Sequence, residues 1–176
     1  MKTDDYYMNI AFQEAKKAFD LNEIPVGAII IDSSGKVIGR GHNNKETKKS
    51  TIGHAEINAI SNANKKIHNW RLVECTMYVT LEPCEMCKKV INESRIKKVI
   101  FCTKNSSKQN TNVIYEQYSN DLVIKNYLDL FNQSFINIRW CFTWNIIKKY
   151  FSGNNNFKKV YVSRETLKII SQAIKI

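Results

Sequence analysis

No stretch of eighteen apolar residues occurs in the 176-residue chain, so nothing in it reads as a helix long enough to cross a bilayer. The first residues, MKTDDYYMNIAFQE, hold acids where a secretory signal would hold bases followed by an apolar run. The sequence therefore predicts a soluble, cytoplasmic protein with no membrane partner. Close cysteine pairs are also scarce: of Cys75, Cys84, Cys87, Cys102 and Cys141, just Cys84 and Cys87 stand together. An odd set with one near pair argues against a disulfide framework and for a metal or catalytic role for that pair. There is no internal repeat, and the length suits one domain with a real core.

Acids are few relative to bases. The 27 lysines and arginines outnumber 16 acids, a formal charge of +11, enough to steer a polyanion such as RNA or DNA into contact. Richness in Lys, Asn and Ile throughout leaves solvated surface as the other reading. Residues 141–176 hold seven bases and one acid, so any basic patch is weighted toward the end of the chain.

Residues 5–20 place Met8, Ala11, Phe12, Ala15 and Phe19 at helical spacing behind Asp4 and Asp5. IPVGAIIID and KVIGRGHN, separated by Ser33, Ser34 and Gly35, read as a β-hairpin. NKETKKSTIG reads as a loop, HAEINAISNANKK as a helix beginning near His54, CTMYVTL as a strand, PCEMCKKVINESR as a helix with Pro83 at its start, and IKKVIFC as a further strand. Strands alternating with helices imply an α/β layer sandwich with crossover connections. Beyond Cys102 come a polar loop without glycine (KNSSKQNTN), a short strand at NVIYEQ and a helix over 120–139. The end of the chain interleaves Trp140, Phe142, Trp144 and Tyr150 with lysines, which suits base stacking or, more commonly, core packing.

The chemistry sits in two motifs. In PCEMC, a C-x-x-C at a helix start places two sulfurs on one side of a turn whose N–H groups favour thiolate. Alone, that spacing is open to zinc, iron–sulfur or redox chemistry. A zinc ribbon would need a second such pair, and Cys75, Cys102 and Cys141 lie scattered as inert thiols would. In GHAEINAI, His54 and Glu56 occupy the first turn of an otherwise apolar helix pattern. His54 with Cys84 and Cys87 makes a three-ligand set that leaves tetrahedral zinc an open fourth position, as in catalytic sites. Glu56, two residues past the histidine, could then move protons beside the metal without binding it.

His54-Ala55-Glu56, followed after 26 intervening residues by Pro83-Cys84-Glu85-Met86-Cys87, resembles the H-x-E…P-C-x-x-C signature of zinc-dependent nucleobase deaminases. Within that superfamily NEIPVGAII, GRGHN, NWRL, YVTLEPCEMC and SRIKKVIF resemble the bacterial tRNA-specific adenosine deaminases. The resemblance covers residues 5–104 strongly and runs more weakly to about Arg139. It implies a three-layer α/β/α cytidine-deaminase-like fold with a five-stranded mixed sheet, placed over residues 1–140; the basic aromatic extension over 141–176 lies beyond the resemblance. It also implies zinc, one per subunit, on His54, Cys84 and Cys87, with Glu56 as proton shuttle and Asn43 hydrogen-bonding the flipped base. The implied activity is conversion of adenosine to inosine at the wobble position of a tRNA anticodon, by a homodimer.

Two departures fall around the substrate. Ser50-Thr51-Ile52-Gly53 replaces a D-P-T-A-like stretch, and Asn105 stands where the family's loop after the fourth strand has an acid. These keep open a free base or nucleoside (guanine, cytosine or cytidine) as substrate. A non-catalytic, zinc-containing RNA-binding protein is the remaining alternative, against which Glu56 counts.

Overall fold

The structure is a computed structural model that describes residues 2–104 and 113–134. Nine elements follow in the order α1 (Asp4–Asp20), β1 (Gly27–Ile31), β2 (Val37–His42), α2 (Lys45–Lys48), α3 (Ala55–Ile67), β3 (Thr76–Leu81), α4 (Glu85–Glu93), β4 (Lys98–Thr103) and β5 (Ile114–Gln117). A tenth, helix α5, occupies 121–134.

The strands form one mixed sheet in the order β2-β1-β3-β4-β5. β1 is antiparallel to both β2 and β3, while β3, β4 and β5 run parallel. The expected α/β sandwich with a five-stranded mixed sheet is therefore present. β1 is buried at every position because both of its faces are covered. Ala28 and Ile30 pack toward α3 and α4, whereas Ile29 and Ile31 pack toward α1 and α5. The same period-2 split divides β4, with Val99 and Phe101 on one face and Ile100 and Cys102 on the other.

α1 starts at Thr3, whose side chain accepts from the Tyr6 N–H at 3.4 Å, with Asp4 and Asp5 at the positive end of the dipole. Its buried face keeps Met8, Ala11 and Ala15 of the expected spacing but not the two phenylalanines. Ala11, Ala15, Ala18 and Glu14 are buried, and Phe12 and Phe19 are only half-buried. The cause is close packing on β1: a Cβ at Gly27 would stand 2.1 Å from the Ala11 carbonyl oxygen, so small residues must face the sheet there. Glu14 tolerates burial because Lys17 Nζ lies 2.8 Å and His42 Nδ1 3.2 Å from its carboxylate.

The stretch 44–53, expected to be an open loop, contains the single turn α2. Asn44, at its N-cap, makes no side-chain cap; the Glu46 and Thr47 N–H groups donate instead to the Glu23 carboxylate, at 3.2 and 2.7 Å. Lys49 in the left-handed region (φ 50°) ends the turn. The expectations for 105–112 and 135–176, including the loop at Asn105 and the basic aromatic extension, lie outside the described residues.

Candidate active site

The N-termini of α3 and α4 converge where β2 and β3 end and β1 begins. His54 is the N-cap residue of α3 and Cys84 that of α4, both in extended backbone, and neither spends its side chain on capping. Their donor atoms are therefore free to face each other. His54 Nδ1 lies 3.7 Å from Cys84 Sγ and 3.5 Å from Cys87 Sγ. With zinc–sulfur and zinc–nitrogen bonds of ordinary length, tetrahedral ligands of these types stand about 3.6 Å apart. Both histidine–sulfur separations thus match those of zinc ligands, the three donors lie within 4.8 Å of one another, and among the described residues theirs is the cluster able to hold a metal.

Electrostatics agree with that chemistry. Burial, then the charge of Lys45, lowers the His54 pKa and favours the neutral imidazole a metal requires. Burial, followed by the proximity of Glu56 and Cys84, pushes the Cys87 thiol far up in the absence of a cation. A metal would reverse that cost by pairing the thiolate. Glu56 occupies the second position of α3 and is 4 % exposed. Burial raises its pKa, only partly offset by hydrogen bonds from its own backbone and Cys87. A carboxyl so placed holds a proton more readily than an exposed one, which suits a group that takes up a proton and passes it on.

These side chains open into a cavity of about 210 Å³, lined by Ile24, Val26, Asn43, Lys45, His54, Ala55, Glu56, Leu81, Glu82 and Cys84. His54, Glu56, Cys84 and Asn43, four of the five residues singled out from the sequence, line it directly; Cys87 backs it from the first turn of α4. Asn43 is 7 % exposed and follows β2, its backbone N–H donating to the Val26 carbonyl at 2.9 Å. Ile24, Val26 and Leu81 give the cavity an apolar wall of the kind that flanks a planar ring.

Three polar features escaped the sequence. Glu23, 1 % exposed, holds α2; Lys45 reaches the cavity rim from that turn; and Glu82 on the wall is paired with the buried Lys88 at 3.0 Å. Glu23 stands just before the IPVGAIIID run read as a strand, and nothing local shows that it is buried.

The family described as cytidine and deoxycytidylate deaminase zinc-binding region matches residues 1–103. The chain belongs to that family, as the zinc-compatible donors and the helix-borne glutamate already indicate. It is similar to the tRNA-specific adenosine deaminase of Bacillus subtilis (strain 168), with 46% identity over 101 residues, 57% of this chain and 62% of that protein. With the protein of the same name from Streptococcus pyogenes serotype M18 it shares 40% identity over 116 residues, 66% of this chain and 72% of that one. The chain thus spans between about three fifths and three quarters of the length of these relatives. A solved structure from work on A-to-I editing by tRNA:A34 deaminases at the wobble position of transfer RNA superposes with a TM-score of 0.60 at 27% identity, covering 65% of this chain and 98% of that one.

Proposed function

We propose that the protein is a zinc-dependent hydrolase that converts adenosine to inosine at the wobble position of a tRNA anticodon. The observation that carries this reading is the placing of Glu56, His54 and Cys84 in the lining of a base-sized cavity, with Cys87 clustered beside the two donors. The tRNA-specific adenosine deaminases to which the chain is similar supply the substrate. Zinc, when held by the three donors, makes water nucleophilic near neutral pH. Asn43 hydrogen-bonds the flipped base and fixes its angle against Ile24, Val26 and Leu81. Glu56 takes the proton released as water adds to C6 and delivers it to the departing amine, so that adenosine and water give inosine and ammonia. Its burial keeps that proton from bulk solvent. The same reading carries RNA binding through the basic surface, a homodimer and a cytoplasmic location; light scattering of the purified protein checks the dimer.

The test is inosine formation at the wobble adenosine of a transcribed arginine tRNA with an A-C-G anticodon, run beside free adenosine, cytidine, cytosine and guanine. The proposal expects inosine in the tRNA alone. Ammonia from a small molecule with the tRNA untouched would overturn the substrate while leaving the deaminase chemistry standing.

A further inference from the structure

The least expected group near the cavity is Glu23. It lies in the turn between α1 and β1, is 1 % exposed, and is absent from the cavity lining. Its two carboxylate oxygens accept from three donors: the Thr47 N–H at 2.7 Å, the Glu46 N–H at 3.2 Å and the Asn43 side-chain Nδ2 at 3.4 Å. Two of these donors are the orphan N–H groups at the start of α2, the turn that carries Lys45 to the cavity rim. The third is the amide of the cavity-lining asparagine.

Resting on the reading of Asn43 as the group that meets the base, we propose that Glu23 is a positioning residue that sets the sense in which Asn43 reads it. An ionised carboxylate is acceptor-only, so the Asn43 amide must turn its nitrogen toward Glu23. Among the described residues the Asn43 carbonyl oxygen takes no hydrogen bond within the chain, and it stays available as the acceptor presented to the cavity. Glutamine at position 23 reverses this. Its Oε1 can still accept from Thr47, but its Nε2 can only donate, so the Glu46 N–H loses its acceptor and the Asn43 amide must rotate and offer its NH₂ to the base. Glu23→Gln therefore keeps the size of the side chain, gives up the hydrogen bond from the Glu46 N–H, and inverts the sense of the Asn43 amide.

The experiment is a double-mutant cycle between Glu23→Gln and Asn43→Ala, read as kcat and KM on the tRNA substrate together with melting temperature. It is paired with the ¹⁵N spectrum of the Asn43 side-chain amide, assigned by its absence in Asn43→Ala. Glu23→Gln is expected to raise KM about tenfold with kcat changed much less, because the lost contact is made equally in the ground and transition states. It should add nothing in the Asn43→Ala background. The Asn43 amide resonances should shift in Glu23→Gln, and the melting temperature should fall by several degrees, as the loss of the Glu46 hydrogen bond requires. Effects that add in the cycle, or Asn43 resonances that do not move, would overturn the assignment. If wild type leaves the tRNA unchanged and deaminates a free base, the functional reading fails and the cycle is run on that base; the amide spectrum decides the role of Glu23 without any substrate.

Discussion

Gly41 lies in β2, two residues before Asn43, and α3 crosses directly over it. A Cβ at Gly41 would meet the Ala55 carbonyl oxygen at 2.3 Å and the Ala59 nitrogen at 2.4 Å, both backbone atoms that cannot rotate away. Ordinary contact begins at 3.4 Å, so Gly41→Ala forces α3 to retreat by about 1 Å. Ala55 lies between His54 and Glu56, so this retreat is felt at the proposed metal donor and the proposed proton shuttle. Overpacking of this kind costs about 1–3 kcal/mol, a fall in melting temperature of roughly 2–4 °C for each kcal/mol. A 1 Å error in a reacting group costs about 10²-fold in turnover. Gly41→Ala should therefore melt lower and lose about 10²-fold in kcat/KM. Gly35→Ala is the control: its φ of +80° and the Tyr7 hydroxyl 2.6 Å from the added Cβ make it destabilising too, but in the β1–β2 turn, outside the cavity lining. Thermal melts and inosine formation on the two variants separate the effects. Wild-type turnover in Gly41→Ala, or an equal loss in Gly35→Ala, would refute the account of how α3 carries the site.

Three further perturbations test the structure. Cys87→Ala should abolish zinc binding and lower the melting temperature by as much as a strong chelator does in wild type, since ligand binding to the folded state is itself stability; a chelator without effect would contradict the site. Tyr78→Phe removes the hydrogen bond its hydroxyl donates to Asp4 at 2.6 Å, tying β3 to the first turn of α1; denaturant melts should show a loss of about 1–2 kcal/mol, with turnover unchanged. Cys102 is 1 % exposed and burial pushes its thiol up to about 11, so it stays protonated at neutral pH. Cys102→Ala should keep full turnover and zinc content, and a loss of either would assign it a role the fold does not give it.

The site was legible where a residue broke a local pattern. His54 and Glu56 interrupt an apolar helix, and Cys84 and Cys87 sit together at a helix start, so residue type and spacing sufficed. The strands and helices that carry them were legible from hydrophobic period. What the sequence hid was every charge buried by a distant partner. Glu14 is held by His42, 28 residues away, and Glu23 by Glu46 and Thr47, 23 and 24 residues away; each reads locally as an exposed turn or helix acid. The same holds for α1, whose buried stripe is set by the close approach of Gly27 and falls on alanines rather than on Phe12 and Phe19. The single turn α2 was missed for a related reason: its cap comes from Glu23, not from its own N-cap residue.

The central claim is that Glu56 moves protons beside zinc held by His54, Cys84 and Cys87. Glu56→Gln preserves the shape of the side chain but replaces the titratable carboxyl with an amide that neither takes up nor releases a proton. Zinc content and turnover are measured together in wild type and Glu56→Gln. One zinc per chain is expected in both proteins, with a loss of at least about 10²-fold in turnover for the variant. Equal turnover in the two, or wild-type protein that binds no zinc, would contradict it.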